Sequence, residues 1–284
     1  MPTARHRLGG YHEYAPPAAL ADCVESVWIH RTPADAPVQA PHRVLPDLGV
    51  SLAFQGFRAE DGRPLDWAPV IAGPKLRAQI FTLVPGRELA AVRIKPEWIG
   101  PLLGIDPMSV EDRVDDLAAV VPDIAARLTD TLAPTRSAAD ALQVLIAAVE
   151  GLRGVCTTTP SSISASALEL FRGTSGTLSC ERVASRLGLS DRHVRRHVHD
   201  ATGIAPKAYS RAMRFVTAML LADRAERPVW ADVAARAGYC DQSHLIRDAV
   251  AMAGVSPCDL HVERRGEIGA DAPLAAVSGL SNPR

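Results

Sequence analysis

The feature that most constrains this chain is an internal repeat in its C-terminal half. The run VASRLGL at residues 183–189 returns as VAARAGY at residues 233–239, fifty residues later. Each copy is followed by a run with a helical pattern that contains an arginine, Arg196 or Arg247, and Gly-x-x-Pro begins seven residues after that arginine. One such match is a weak signal, but two in tandem with the same terminator predict two copies of one helical unit.

Each copy has the residue types that a helix-turn-helix needs. The shared positions are a small residue where two helices cross, a glycine where the turn needs positive φ, an apolar residue that packs the turn, and a side-chain oxygen that caps the next helix. These residues are Ala184, Gly188, Leu189 and Ser190 in the first copy, and Ala234, Gly238, Tyr239 and Asp241 in the second. The repeat therefore predicts two helix-turn-helix units.

The second helix of the first unit is rich in cations, since residues 190–200 read SDRHVRRHVHD. At about 100° per residue, Val194, Val198 and Ala201 form a buried stripe. The residues predicted on the opposite face are Arg192, Arg195, Arg196 and His199. Arginine can bond bidentately to guanine or take a phosphate, so this face predicts contact with double-stranded DNA. The alternative is a solvated charged face, which the tandem repeat disfavours.

The corresponding helix of the second unit is less basic. With Leu245 as the buried reference, Ser243, Ile246 and Arg247 face outward, and Gln242 lies near the helix start. We therefore expect the first unit to read the DNA sequence, and the second to position the protein with modest added specificity. Because one linking helix fixes both units, we expect them to enter successive major grooves about 34 Å apart.

A metal site is the weaker interpretation of the histidines. His193 and His197 are four residues apart, but a zinc site needs further ligands and HExxH is absent. The five cysteines are scattered without a CxxC pair, which argues against a disulfide framework or a thiolate zinc site. We predict no metal, no other cofactor and no catalytic residue.

Residues from about 165 to 262 resemble the DNA-binding domain of AraC/XylS-type transcription regulators. The resemblance rests chiefly on the stretch GYCDQSHLIRDAVAMAGVSP, and it implies seven helices with a long linking helix, which residues 207–225 fit. It also implies that Arg192, Arg195 and Arg196 face the bases. Where this family usually has an aromatic and then a basic residue, this chain has Ala249 and Val250, and Asp248 adds a negative charge. We therefore expect the second unit to grip DNA less firmly.

The N-terminal half resembles a poorly characterised domain found ahead of such DNA-binding domains. The matching stretches are HRVLPDLGVSLAF, Ala72-Gly73-Pro74 and GPLLGIDPMSVEDRVDDL. The family's usual logic implies a sensor in which a small-molecule effector changes dimerisation or DNA affinity. A ligand-independent dimerisation domain is the second interpretation. Alkyl-transfer repair is the third, but PHRV at residues 41–44 lacks the nucleophilic cysteine of the repair methyltransferases.

The hydrophobic periodicity and the positions of glycine and proline predict an α+β chain. The predicted strands are Val24–His30, Val44–Phe54, Val70–Ala72, Gln79–Val84 and Leu89–Ile94, and the predicted helices are Trp98–Leu103, Val114–Leu132 and residues 137–151. We expect a β-rich N-terminal domain with flanking helices over 1–156, a linker over 157–166, an all-α domain of about seven helices over 167–265, and a flexible tail over 266–284. The apolar stripe of 137–151 fits packing on its own domain or, alternatively, a dimer interface.

The charge distribution favours the same division. Residues 1–159 hold 15 Lys and Arg against 19 Asp and Glu, whereas residues 160–265 hold 15 against 11. A basic half beside an acidic one is typical of a polyanion-binding module joined to another domain. No apolar run reaches the roughly 18 residues of a membrane span, and no leader is apparent, so we expect a cytoplasmic protein.

The predicted function is a transcriptional regulator that is not an enzyme. Its expected partners are promoter DNA, RNA polymerase, a small-molecule effector and a second copy of the chain. Aromatic and arginine side chains suit a carboxylate or other polar effector, although core packing explains the tryptophans equally well. The candidate effector residues are Trp28, His42, Arg43, Arg93 and Trp98. The alternatives are a protein of the DNA-alkylation response or repair, and a ligand-independent architectural protein.

Overall fold

The computed structural model describes residues 10–34, 41–58, 64–82, 84–132, 135 and 137–265. The chain forms two compact units. Among the described residues, the N-terminal unit falls within 10–42, 49–74 and 80–159, and the C-terminal unit falls within 43–48, 75–79 and 160–265. The predicted tail, 266–284, lies outside the described residues. No described helix is both long and apolar enough to cross a membrane.

Eight strands are present in the described residues. They are β1 (Tyr11–Tyr14), β2 (Val24–Arg31), β3 (Pro41–Val44), β4 (Val50–Arg58), β5 (Pro64–Ala72), β6 (Gln79–Thr82), β7 (Arg87–Ile94) and β8 (Val114–Asp116). Six of them form one sheet in the order β1-β2-β7-β4-β5-β8, and β3 pairs with β6 in a second sheet. The expectation of an α+β chain with a β-rich N-terminal half is therefore confirmed.

The sequence placed several strand boundaries wrongly. The predicted strand Val44–Phe54 begins too early, because Val44 is the last residue of β3 and β4 begins only at Val50, after Pro46. The β1 strand was not predicted. The β8 strand, which includes Asp115 and Asp116, was assigned to the start of a helix. Both missed strands are short edge strands, and aspartate is a poor strand former, so neither carries a strong period-two signal.

One face of the large sheet packs against helices to form the core of the N-terminal unit. The helices are α1 (Ile99–Leu103), α2 (Leu117–Val120), α3 (Pro122–Leu132) and α4 (Ala138–Val155). Alternate residues of the central strands, such as Leu52, Val92 and Ile94, are fully or almost fully buried in this core. The α4 stripe that includes Leu145 and Val149 is buried there too. The stripe therefore packs on its own domain.

Seven helices make up the C-terminal unit within its described part. They are α5 (Ser162–Gly173), α6 (Cys180–Leu187), α7 (Asp191–Thr202), α8 (Pro206–Ala222), α9 (Trp230–Arg236), α10 (Gln242–Ala253) and α11 (Pro257–Arg264). The predicted number of helices and the long linking helix, α8, are confirmed. Phe215, Met219 and Ala222 of α8 are fully buried in the core of this unit. The predicted linker, residues 157–166, already contains the first turn of α5.

The Gly-x-x-Pro terminators have a clear structural role. Gly203 and Gly254 end α7 and α10 in the left-handed conformation, with φ of 68° and 76°. Pro206 and Pro257 then begin α8 and α11 at the first helical position. Glycine tolerates positive φ at a helix end, and proline tolerates the helix start because no partner awaits its missing N–H. Each terminator therefore stops one helix and starts the next.

Candidate DNA-binding surface

The turn between α6 and α7 has the geometry that the sequence predicts. Gly188 has a φ of 66°, and the backbone N–H of Leu189 donates to the carbonyl of Ala184 at 2.9 Å. Ser190 caps α7 because its hydroxyl accepts from the backbone N–H of His193 at 3.3 Å. Leu189 is half-buried rather than fully buried.

The turn between α9 and α10 repeats this geometry. Gly238 has a φ of 78°, and the N–H of Tyr239 donates to the carbonyl of Ala234 at 2.9 Å. The Asp241 carboxylate caps α10 by accepting from the N–H of His244 at 2.7 Å. Tyr239 is buried, and burial, followed by the nearby Asp248 carboxylate, raises the pKa of its hydroxyl. The predicted roles of both glycines and both caps are confirmed.

The helix α7 has one buried face and one charged face. Val194 and Val198 are fully buried and anchor the helix to its unit. The four residues predicted to face DNA are all exposed, namely Arg192, Arg195, Arg196 and His199. A helix held from behind in this way presents its guanidinium groups to solvent, where they can reach phosphates or base edges.

One arginine of this face is fixed by a neighbour that the sequence analysis did not single out. The Nε of Arg195 donates to Oδ2 of Asp191, one turn earlier on α7, at 2.5 Å. The Arg195 hydrogen bond lowers the pKa of Asp191, and the same bond raises the pKa of Arg195. The available sequence signal is the Asp-x-x-x-Arg spacing, which places both side chains on one side of a helix.

A buried thiol lies near the same carboxylate. Cys180, at the start of α6, interacts with Asp191. Burial, followed by its contact with the Asp191 carboxylate, raises the pKa of the Cys180 thiol to about 12. The thiol therefore remains protonated near neutral pH. Asp191 thus interacts with groups on both helices of the first unit.

The helix α10 presents a more apolar face. Its inner side carries Leu245 and Ala249, which are both fully buried. The four predicted contact residues Gln242, Ser243, Ile246 and Arg247 are exposed. Val250, one turn beyond Ile246, is 52% exposed and extends the apolar surface. Within this exposed set Arg247 is the only arginine, against three on α7.

Asp248 does not lie on the exposed face of α10, so its negative charge is not part of the surface that carries Arg247. Its side chain is buried, and its Oδ1 accepts from Nε of Arg211 on α8 at 2.8 Å. The helical period places Asp248 beside Ala249, on the side that packs against the unit. The negative charge is therefore neutralised inside the unit.

The two histidines of α7 form a stacked pair rather than a ligand set. The ring centroids of His193 and His197 lie 5.3 Å apart with an interplanar angle of 19°. Nδ1 of His197 lies 3.4 Å from the hydroxyl of Ser161. Among the described residues, no group of three or more His, Cys, Asp or Glu side chains has the arrangement of a metal site.

The five candidate effector residues do not share one site. Trp28 lies on the sheet face opposite the helices, beside Ala53, Val70 and Ala91. Arg93 lies on the same face, where its guanidinium donates to Glu13 at 2.7 Å and to the Ser26 hydroxyl at 3.0 Å.

The other three candidates lie elsewhere. Trp98 belongs to the helix-packed core, with the Arg153 guanidinium over its ring at 4.6 Å. Arg43 belongs to the C-terminal unit, where it donates to the Glu263 carboxylate at 2.7 and 3.1 Å and to the Ala253 carbonyl at 2.6 Å. His42 lies in β3, and its side chain is outside the described residues. Only Trp28 and Arg93 are brought together.

Comparison with known protein families matches each half of the chain separately. Residues 183–261 match a helix-turn-helix domain family. Residues 12–115 match a domain of unknown function, DUF6597. No curated protein sequence matches the chain.

Several solved structures resemble parts or most of the chain. The C-terminal domain of AraT, a response regulator from Geobacillus stearothermophilus, is 25% identical with a TM-score of 0.33, over 36% of this chain and 84% of that one. An AraC-type transcriptional regulator from Chromobacterium violaceum is 18% identical with a TM-score of 0.33, over 37% and 94%. Unsaturated fatty acid-bound ToxT from Vibrio cholerae is 10% identical with a TM-score of 0.41, over 91% and 97%.

Proposed function

We propose that this DNA-binding transcriptional regulator, which carries an AraC-type helix-turn-helix domain at residues 183–261 behind a domain of unknown function at residues 12–115, recognises specific DNA sequences chiefly through its first unit. The observation that carries the proposal is the exposed face of α7. Arg192, Arg195 and Arg196 project from a helix whose opposite side is locked into the core by Val194 and Val198. A rigid helix with outward guanidinium groups suits major-groove readout.

The second unit has a different task in this proposal. Arg247 supplies one cation for a phosphate, while Ile246 offers an apolar surface that can meet a thymine methyl group. Gln242 stands at the start of α10, where a base edge or a phosphate is within reach of a long amide side chain. The second unit then orients the protein on the duplex and adds modest specificity.

A gel shift with competitors tests this proposal. The full chain is titrated onto DNA from upstream of its own coding sequence, with random-sequence DNA as competitor, at several salt concentrations. We expect binding to the upstream DNA to weaken as salt rises. We also expect random DNA to compete at least a thousandfold less well than the upstream DNA itself, which is the lower end of the range for specific regulators. Equal competition by random DNA would instead identify an architectural protein. Transfer of label from alkylated DNA to a cysteine would identify a repair protein.

We also propose that the N-terminal unit binds a small polar or carboxylate effector on the sheet face that carries Trp28 and Arg93. The indole Nε1 of Trp28 is buried and has no hydrogen-bond partner among the described residues. Its neighbours Ala53 and Ala91 are small. A buried donor without a partner costs free energy in the free protein, and a ligand oxygen would remove that cost.

A thermal-shift screen with small carboxylic acids tests the effector proposal. Any compound that raises the melting temperature is then tested with W28F and W67F. Trp67 is a matched control because it packs against the helix side of the same sheet and its Nε1 is also buried without a partner. The proposal predicts that W28F loses the shift and W67F keeps it. No stabilising compound, or equal loss in both variants, would contradict it.

Contact with RNA polymerase and homodimerisation are separate predictions from the sequence. Light scattering of the full chain with and without its DNA site tests the second. The first needs a transcription assay with purified polymerase on the same DNA.

A further inference from the structure

We propose that Asp191 is a positioning residue that holds the Arg195 guanidinium in the orientation needed to read one guanine. This inference rests on the proposed function and assigns a specificity role within the first unit. The anchoring bond joins Oδ2 of Asp191 to Nε of Arg195 at 2.5 Å. Both residues lie on α7, one helical turn apart, so the bond forms within one rigid element.

The geometry of the bond leaves the reading edge of the arginine available. A guanidinium has five N–H donors, and Asp191 uses the one on Nε. Among the described residues, neither terminal nitrogen of Arg195 has a partner. Two terminal nitrogens suffice for a bidentate contact with guanine O6 and N7. The carboxylate therefore restricts the side chain without consuming the groups that recognise the base.

The inner side of the carboxylate is closed to solvent, since Oδ1 of Asp191 is buried and has no hydrogen-bond partner among the described residues. The Cys180 thiol of α6 interacts with Asp191 and remains protonated near neutral pH because its pKa is raised to about 12. The Asp191 side chain is about one-third exposed and that of Arg195 is half exposed. The pair is thus buried on its inner side and open on its outer side, where the free nitrogens of Arg195 can meet a ligand.

The other exposed arginines of α7 have no comparable support. No ion pair to Arg192 or Arg196 occurs within the described part of the chain. In the second unit the positions that match Asp191 and Arg195 are Gln242 and Ile246, so no such pair exists there. Among the exposed arginines on these two helices, Arg195 alone is fixed before DNA arrives.

Fixing a side chain in advance reduces the ordering cost of binding, by an amount that corresponds to about a three- to tenfold gain in affinity. Only a guanine at the right position can accept both hydrogen bonds from the fixed guanidinium. The gain in affinity is therefore restricted to sites with that guanine and appears as base preference. Asp191 also places a negative charge near the DNA backbone, which weakens binding to every sequence alike. Its two effects on specific and non-specific binding therefore have opposite signs.

The test measures base preference rather than affinity alone. The full chain and D191N are titrated onto its selected site and onto single base-pair variants of that site, with random DNA as reference. We expect D191N to lose about three- to tenfold of the preference at one G·C pair, with non-specific binding unchanged or stronger. D200N is the matched control, because Asp200 is an exposed carboxylate on the same helix that forms no ion pair with an arginine among the described residues.

A double-mutant cycle gives the decisive comparison. R195A should abolish the preference at the same base pair, and D191N should add no further loss in the R195A background. The inference is overturned if D191N keeps the wild-type preference, or weakens all sequences equally as a purely structural change does. A wild-type chain that prefers no sequence would refute the proposed function itself, so the two failures are distinguishable.

Discussion

The two helix-turn-helix units share a backbone geometry but differ in the charge that their second helices expose. Both have a left-handed glycine in the turn, an oxygen-bearing cap and a second helix of 12 residues that ends at glycine. On α7 the arginines are exposed, whereas the matching helix α10 turns Asp248 inward to an arginine of α8. The turn glycine, the cap and the helix length are shared because the backbone of the repeat requires them. The exposed side chains carry no such requirement, so they can differ between the two units.

A second internal ion pair lies beside the second helix-turn-helix unit, between α11 and the end of α8. Arg264 of α11 is almost fully buried, and its Nε and Nη2 donate to the Asp223 carboxylate, the closest contact being 2.5 Å. Buried arginine–carboxylate pairs of this kind make removal of one partner costly. We therefore expect the second unit to contribute chiefly to the stability of the domain (the brace interpretation) and the first unit to make the base contacts with DNA.

The largest expected effect is on stability. R211A leaves the Asp248 carboxylate buried without its partner, so we expect the second unit to lose about 3–5 kcal/mol. Amide exchange of α9 and α10 in the full chain measures the loss, with α6 and α7 as the internal reference. Adding D248A to R211A should recover most of it. If R211A exchanges like the wild type, the brace interpretation is wrong.

The turn glycines give the next largest difference. An added Cβ at Gly238 would lie 2.5 Å from Cγ2 of Thr177, whereas at Gly188 it would meet nothing within 4 Å. We therefore expect G238A to cost about 3 kcal/mol and G188A about 1 kcal/mol, since both incur left-handed strain but only one also clashes. Urea unfolding measures both.

Removing the clashing methyl group separates the two causes. T177S deletes Cγ2, so G238A in the T177S background should approach the cost of G188A. Equal costs for G188A and G238A in the wild-type background would show that the two turns are packed alike.

Equivalent arginines of the two units should differ in how they affect DNA binding. We expect R196A to cost about 1–3 kcal/mol on the selected site and to relax preference at one base pair. R247A should weaken all sequences nearly uniformly and reduce the salt slope by about one. Competition titrations on the site and on random DNA measure both. The reverse pattern would assign base reading to the second unit.

The caps give the smallest expected effect. Replacement of Ser190 or Asp241 by alanine removes one side-chain acceptor from a helix start, at about 1 kcal/mol each. D241A should cost more than S190A, because the Asp241 bond is shorter, at 2.7 Å against 3.3 Å, and its acceptor is charged. Urea unfolding of the two variants in parallel checks the order. A larger cost for S190A would contradict it.

Local chemistry explains which parts of the molecule the sequence predicts. The roles of Gly188, Gly238 and the two caps depend on only a few adjacent backbone groups. The local sequence is therefore enough to predict them. The Arg43–Glu263 pair joins residues 220 positions apart, so no local pattern indicates it, and Arg43 was assigned to an effector site instead. The inward side of Asp248 does not follow from its position in the family pattern, because only the helical period, together with the packing of α10 on α8, turns it toward Arg211.

Interference footprinting tests the central claim most directly. Guanines of a selected site are methylated at N7, and the DNA that still binds the full chain is separated and sequenced. We expect methylation to interfere with binding in two major-groove segments about one helical turn apart. The guanine interference should be strong in the segment contacted by α7, and R195A should lose the interference in that segment. A single segment, or an R195A pattern identical to the wild type, would contradict the claim.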